Sequence, residues 1–339
     1  MGDEARNSYR PTLEAVATRA GVSRATVSRV VNGSTTVDVD KRAAVLRAVD
    51  EIGYVPNLAA RSLVTHRTDS YALVLTESAG RSFSDDTYFP SLVHGVSQQM
   101  DEAGKELVLR MVNSPRSQDH IEQSVAGRHV DGVMVVSTLG ADPLTRRLVR
   151  TGVPVVINGR PPDRFPVSYV DVANADGARL AVRRLVDSGR RRVATIAGAQ
   201  HVAGGIDRLA GYRAELTESG RPPIVAYGDF GRESGSAAMD RLLADEPRVD
   251  AVFVASDLMA SGALRALRRA GRKVPDDVAV IGFDDTAVAR CAEPPLTTVH
   301  QPILDIGRTM ARQVLRMAGG EPAEPSIVLA TELVLRESA

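Results

Sequence analysis

Thr12–Gly33 reads TLEAVATRAGVSRATVSRVVNG, and this stretch decides how the rest of the chain is read. Leu13, Val16, Ala17 and Ala20 recur at helical spacing and give a short helix one apolar stripe. Gly21 ends that helix, because a residue without Cβ takes positive φ at little cost. Ser23 then stands where a hydroxyl accepts a free amide of the next turn. A second helix from Arg24 to Asn32 buries Val27, Val30 and Val31, and leaves Arg24, Ala25, Ser28 and Arg29 on or near its outer face. Two short helices joined at a glycine, the second presenting arginine and small polar groups, make a helix-turn-helix.

Downstream, Asp38 is an N-cap candidate for a third helix whose apolar face is Val45, Leu46, Val49 and Ile52, and Gly53 ends it. Tyr54 and Val55 return to the small core. Pro56 marks a boundary, and Asn57 caps a segment LeuAlaAlaArgSerLeu that is too short to be a stable helix alone. Between Arg10 and Thr65 there are eight cations and five anions, a net +3, although the whole chain carries formal net charge 0. A basic head on a mildly acidic body suits DNA binding.

With 339 residues, 43% hydrophobic and 25% charged, the chain has room for more than one domain and the composition of an ordinary soluble protein. Cys291 is the sole cysteine, so there is no internal disulfide and no thiolate metal cage. MGDEARNSYRP opens the chain without an apolar signal segment, and no run approaches a membrane span, which leads us to expect a cytoplasmic protein. The sequence has no Gly-x-Ser-x-Gly elbow, no His-Glu-x-x-His and no Walker loop, and its six histidines lack metal-ligand spacing. Neither enzyme nor cofactor is expected.

From Tyr71 onward, apolar runs at 71–76, 106–112, 132–137, 153–158, 192–198, 224–228, 251–256 and 278–285 alternate with amphipathic helices. The helices are expected at Pro90–Ala103, Gln118–Ala126, Pro143–Arg150, Ala173–Ser188, Arg208–Ser219, Glu233–Ala244 and Leu258–Ala270. Such alternation means βαβ units and doubly wound parallel sheets, with ligands beyond the carboxyl ends of the strands.

AVATRAGVSRATVSRVVNG, continued by VDVDKRAAVLRAVDEIGYVPNLAARSLVT, resembles the N-terminal head of the LacI/GalR repressors without a gap from Leu13 to Thr65. The resemblance implies an all-α helix-turn-helix head and a periplasmic-binding-protein-like α/β body of two subdomains joined by three crossovers. The expected layout is a disordered 1–9, a DNA-binding domain at 10–55, a hinge helix and linker at 56–68, and an effector-binding and dimerisation domain at 69–339. Within the last, one subdomain is expected at about 69–158 and 294–318, the other at about 163–288 and 325–339. The crossovers are expected at Asn158–Asp163, Asp285–Pro294 and Met317–Pro325.

The function implied is a repressor that binds a pseudo-palindromic operator as a dimer, or a tetramer, and is tuned by a small sugar, a polyol or a related metabolite. Arg24, Ala25 and Arg29 are expected at base edges; Ser23, Thr26 and Asn32 at phosphates; Asn57, Ala60 and Leu63 in the minor groove, with Leu63 as the wedge. For the effector, the resemblance carries over Arg208 in IDRLAGY, Asp284 in GFDD, Phe230 in GDFG and Ser256 in ASDLMA, with Asn158, Gln301 and Ser137 lining the cleft. Phe230 serves either as a ring against the sugar or as plain core, and Asp257 and Asp285 are expected as caps or crossover braces. The chain departs from the family in the loop 77–90, which is longer and ends Tyr88-Phe89-Pro90. On the body alone, the alternative is a sugar-binding protein of periplasmic type.

Overall fold

The computed structural model describes residues 11–31, 33–34, 36–55, 67–76, 87–137, 143–161, 163 and 165–339, and the chain divides into two compact units, 1–68 and 69–339. Asn32, Asn57, Ala60, Leu63 and most of the 77–90 loop lie outside the described residues.

In the first unit, α1 (Leu13–Ala20) is capped by Thr12, whose hydroxyl accepts the Ala15 amide at 3.2 Å, and ends at Gly21 with φ 64°. α2 (Arg24–Val31) follows, with Ser23 Oγ accepting the Thr26 amide at 3.2 Å as its position suggested. α3 (Val39–Ile52) starts at Asp38, which accepts the amides of Asp40 and Lys41, and stops at Gly53 with φ 64°. Val16, Val27, Val30, Val45, Ala48 and Tyr54 close a small core over three helices. Two expectations fail here. Leu46 is 49% exposed and Ala48 takes the inward position, because the buried face of α3 runs through Val45 and Ala48; Val55 is 81% exposed, so only Tyr54 turns back.

The second unit holds two six-stranded sheets. Sheet A contains β1 (Ser70–Thr76), β2 (Glu106–Val112), β3 (Gly132–Ser137), β4 (Val155–Asn158), β5 (Ser168–Val172) and β11 (Ser326–Leu329), in the order β11-β5-β4-β3-β1-β2, all parallel. Sheet B contains β6 (Val193–Ala197), β7 (Ile224–Tyr227), β8 (Ala251–Val254), β9 (Ala279–Asp284), β10 (Thr297–His300) and β12 (Glu332–Val334), in the order β12-β10-β9-β8-β6-β7. There only β12 runs antiparallel, against β10.

The central strands bury both faces, as parallel sheets require, while the edge strands β2, β7, β11 and β12 are partly exposed. In β1, Leu73 and Leu75 face the core of α4 (Tyr88–Glu102) and α12 (Ile303–Ala318), while Ala72 and Val74 face that of α5 (Pro115–Ala126) and α6 (Pro143–Arg150). Sheet B is sandwiched likewise. On one face lie α9 (Arg232–Asp245) and α10 (Asp257–Arg269), on the other α7 (Asn174–Asp187) and α8 (Ala203–Glu218). A short α11 (Ala287–Arg290) follows β9.

The chain crosses between the sheets three times, but not where expected. It crosses at Ala173 between β5 and α7, at Gln301–Pro302 between β10 and α12, and at 330–331 between β11 and β12. The expected divisions near 158–163, 285–294 and 317–325 are each displaced by a strand that no apolar run announced. SYVDV adds to sheet A beside β4, with Ile157 opposite Tyr169. TTVH joins sheet B beside β9, so 285–296 never leaves that half. SIVL pairs with β5 before the last crossing, which places 326–329 in sheet A.

The contact of α4 with α12 depends on two glycines. A Cβ at Gly307 would lie 2.2 Å from the Leu92 carbonyl oxygen, and one at Gly95 2.0 Å from that of Leu304. Helix propensity alone would make Gly307→Ala stabilising by about 1 kcal/mol. The close approach reverses the sign, and we expect a loss of about 1–3 kcal/mol in urea unfolding. A stability gain for Gly307→Ala would show that these helices do not pack backbone to backbone.

Candidate effector cleft and DNA-reading helix

The cleft is built where the fold places ligand sites, beyond the carboxyl ends of both sheets. Its centre is Arg208 in the second turn of α8, only 7% exposed. A buried guanidinium is tolerated only when its donors are met. Arg208 Nη1 donates to the Ala255 carbonyl at 2.6 Å and to Asp284 Oδ1 at 3.3 Å, and Nε donates to Asn174 Oδ1 at 2.9 Å. Its Cζ sits 3.6 Å from the centroid of the Phe283 ring, a cation–π contact.

Asp284 ends β9 with φ 117°, a strained conformation for a residue with a Cβ, and its Oδ1 also accepts from Gln301 Nε2 at 2.5 Å. Asn174 Nδ2 donates to Asp171 Oδ1 at 2.9 Å, and Asp171 Oδ2 accepts the Arg160 amide at 2.8 Å. Burial pushes the Asp171 carboxyl above the usual carboxylate range, against the backbone donors of Arg160 and Val172. One polar chain therefore runs from Arg160 through Asp171, Asn174, Arg208 and Asp284 to Gln301. It passes through two of the three crossovers.

From the sheet A side, Asn158 ends β4 and accepts from the Tyr88 hydroxyl at 3.0 Å. Burial raises the Tyr88 phenol well above its ordinary value, so it stays a neutral donor. Arg146, stacked 4.4 Å from the Phe165 ring centroid and paired with Asp163, lines the same cleft.

Of the residues expected in the cleft, Asn158, Arg208, Phe230, Ser256, Asp284 and Gln301 line it together. Phe230, at φ 75°, lies against Gly198, where a Cβ would come within 2.2 Å of the ring. Ser256 has a second task as N-cap of α10, accepting the Met259 amide at 3.2 Å. Ser137 ends β3 opposite Thr76, and its side chain lies outside the described residues. Asp257 is a brace. Its carboxylate accepts from Thr298 Oγ1 at 2.6 Å and from the Thr286 amide at 2.8 Å. Asp285 braces the strand ends through Arg336 at 2.6 Å and His300 at 3.1 Å.

Asp171, Asn174, Tyr88 and Arg160 were not singled out from the sequence as cleft residues. For Asp171 and Asn174 the one available signal is VDVAN, an acid and an amide three residues apart where a strand gives way to a helix.

On the head, Arg24, Ala25 and Arg29 are exposed along α2, opposite the buried Val27 and Val30. Arg24 Nε pairs with Glu14 at 2.9 Å, with both side chains more than 60% exposed. Such a pair is worth at most about 1 kcal/mol and yields to a better acceptor. Arg29 has no ion-pair partner among the described residues. Ser23 and Thr26 are tied to each other, hydroxyl to hydroxyl at 2.9 Å.

Comparison with known proteins matches both units. Residues 12–57 fit the family described as bacterial regulatory proteins, lacI family, and residues 182–339 fit a periplasmic binding protein-like domain. The chain is 49% identical to the HTH-type transcriptional regulator CelR of Thermobifida fusca, over 97% of this chain and 98% of that one. It is 31% identical to the catabolite control protein A of Priestia megaterium, over 94% of this chain and 95% of that one. Among solved structures, a transcriptional regulator CelR–cellobiose complex superposes with TM-score 0.77 at 47% identity, covering 97% of this chain and all of that one. A lac repressor dimer bound to operator and the anti-inducer ONPF superposes with TM-score 0.82 at 29% identity, covering 97% and 99%.

Asn174 is the joint of the polar chain, and removing it takes the acceptor from the buried Arg208 Nε–H and one of two donors from Asp171 Oδ1, which keeps the Val172 amide. We expect Asn174→Ala to cost about 1–3 kcal/mol in thermal or urea unfolding without any ligand. Wild-type stability for this variant would mean that water replaces the amide and that the chain is not a structural unit.

Proposed function

The chain belongs to the LacI family of bacterial regulatory proteins and is a DNA-binding transcriptional regulator with an effector-binding body, and we propose that it is a repressor whose effector is a β-linked glucose disaccharide such as cellobiose. Two heads on a dimer meet two half-sites, so its operator is pseudo-palindromic. The observation that carries the effector reading is Arg208, buried with Asp284, Asn174 and Gln301 at the foot of a cleft that also holds Tyr88, Phe165 and Phe230. Charged and amide groups bind hydroxyls directionally, and rings cover the apolar face of a pyranose. The cellobiose held by the similar CelR structure supports the choice of sugar.

The body fold alone would suit a periplasmic-type binding protein. The capped, arginine-bearing head favours the regulator.

The effector reading is tested by calorimetry with cellobiose, glucose and maltose. Cellobiose should bind, and Asp284→Asn should weaken it roughly 10–100-fold, since a hydrogen bond to a charged group is worth about 1.5–3 kcal/mol. A wild-type protein that ignores cellobiose, or an Asp284→Asn protein that binds it unchanged, places the effector site elsewhere.

The DNA reading rests on α2. Arg29 donates two hydrogen bonds to a guanine edge, Arg24 leaves Glu14 to do likewise, and Ala25 meets a thymine methyl. Ser23, Thr26 and Asn32 hold phosphates, while Asn57, Ala60 and Leu63 enter the minor groove. With an operator selected from random DNA, Arg29→Ala should cost about 1–3 kcal/mol and relax one base pair per half-site. Equal losses on operator and random DNA would move Arg29 from base to backbone.

A further inference from the structure

Arg160 follows β4 on the sheet A side of the cleft, and Asp207 stands on α8 on the sheet B side, next to Arg208. Arg160 Nη2 meets Asp207 Oδ1 at 2.8 Å, with the two side chains 36% and 25% exposed. On its own side, Arg160 donates its amide to the buried Asp171. Arg160 thus bonds a carboxylate from each half, Asp171 through its backbone amide and Asp207 through its guanidinium, and the field of each acts on the guanidinium. Asp207 also acts on Asp171 as a like charge, partly offset by Arg208. Tyr169 acts on Arg160 as well.

We infer that Arg160 is the electrostatic latch of the cleft, positioning the Arg208-bearing turn of α8 for the effector by screening Asp171 from Asp207 as the two halves close. This rests on the cleft being the effector site.

Losing the attraction and unmasking the repulsion are separable. Arg160→Ala does both, since the repulsion between the two carboxylates on opposite walls is then no longer screened by Arg160. Asp207→Asn removes the attraction and the repulsion together and keeps the shape of the side chain. The two substitutions therefore cannot be additive. In Arg160→Ala/Asp207→Asn the second change should repair part of the damage of the first.

The test is cellobiose affinity by calorimetry for the wild type, both single variants and the double variant. Arg160→Ala should weaken binding roughly fivefold and Asp207→Asn about twofold, with the double variant no weaker than about twofold. Losses that multiply in the double variant, or single variants both indistinguishable from wild type, overturn the proposal. Partial rescue is a signature that simple loss of packing does not give.

A wild-type protein that does not bind cellobiose would sink the effector reading alone, so closure is also read without sugar. Spin labels on exposed helix sites of the two halves, introduced as His120→Cys and Arg213→Cys in a Cys291→Ser chain, report the distance between them. Arg160→Ala should lengthen or broaden that distance and Asp207→Asn should restore it. An unchanged distribution overturns the latch whatever the effector is.

Discussion

The body is organised around one buried charge. Arg208 cannot be desolvated without partners, since an unpaired ion in a poorly polarisable interior costs many kcal/mol. Its partners are the Ala255 carbonyl after β8, the Asp284 carboxylate ending β9, the Phe283 ring and the Asn174 amide opening α7. None is near Arg208 in sequence. Ala255, Phe283 and Asp284 arrive because sheet B sets β6, β8 and β9 side by side with their carboxyl ends level, and Asn174 arrives by the crossover from β5. The charge in turn fixes what surrounds it. Through Asn174 it reaches the crossover at Ala173, and through Asp284 it reaches Gln301, the start of the crossover into α12.

The same demand explains the backbone strain at the end of β9. Asp284 and Asp285 are consecutive and both have positive φ, 117° and 57°. A regular strand would send two neighbouring carboxylates to opposite faces of the sheet. The twist instead turns Asp284 toward Arg208 and Gln301, while Asp285 meets Arg336 and His300. Such strain persists only where surrounding bonds over-determine it, and it clusters where binding groups must be aimed.

These facts mark how far the sequence can be read. The head was legible nearly residue by residue, because Gly21, Ser23, Asp38 and Gly53 are local signals that need no distant partner. Leu46 and Val55 were misplaced, since a three-helix unit has too little interior for every apolar side chain. In the body the long central strands announced themselves as apolar runs. β5, β10, β11 and β12 did not, being three to five residues long and carrying Asp171, Thr297, Thr298 or exposed Ser326. Their existence depends on pairing with strands far away in sequence, and the crossovers moved with them. Arg208 and Asp284 were found through recognisable motifs, Asn158 and Gln301 through their place near expected crossovers. Asp171 and Asn174 owe their place to a crossover that the sequence did not locate, and Arg160 meets Asp207 across 47 residues.

The two walls differ in readiness. The sheet B wall is assembled without a ligand, since Arg208, Asp284 and Gln301 already hold one another. Preorganisation of this kind lowers the cost of binding but does not distinguish an open cleft from a closed one. A ligand shifts a conformational equilibrium only by its differential affinity for the two states. On the proposed effector reading, contacts that the Arg208 wall offers in both states set affinity and leave the equilibrium where it was. Discrimination must come from groups that reach the ligand, or the opposite wall, only when the halves approach: the Tyr88 hydroxyl with its Asn158 acceptor, and Arg160 between two carboxylates. On that reading, affinity rests with the Arg208 wall and coupling with the opposite wall, where Asn158 was expected from the sequence while Tyr88 and Arg160 took their roles only in three dimensions.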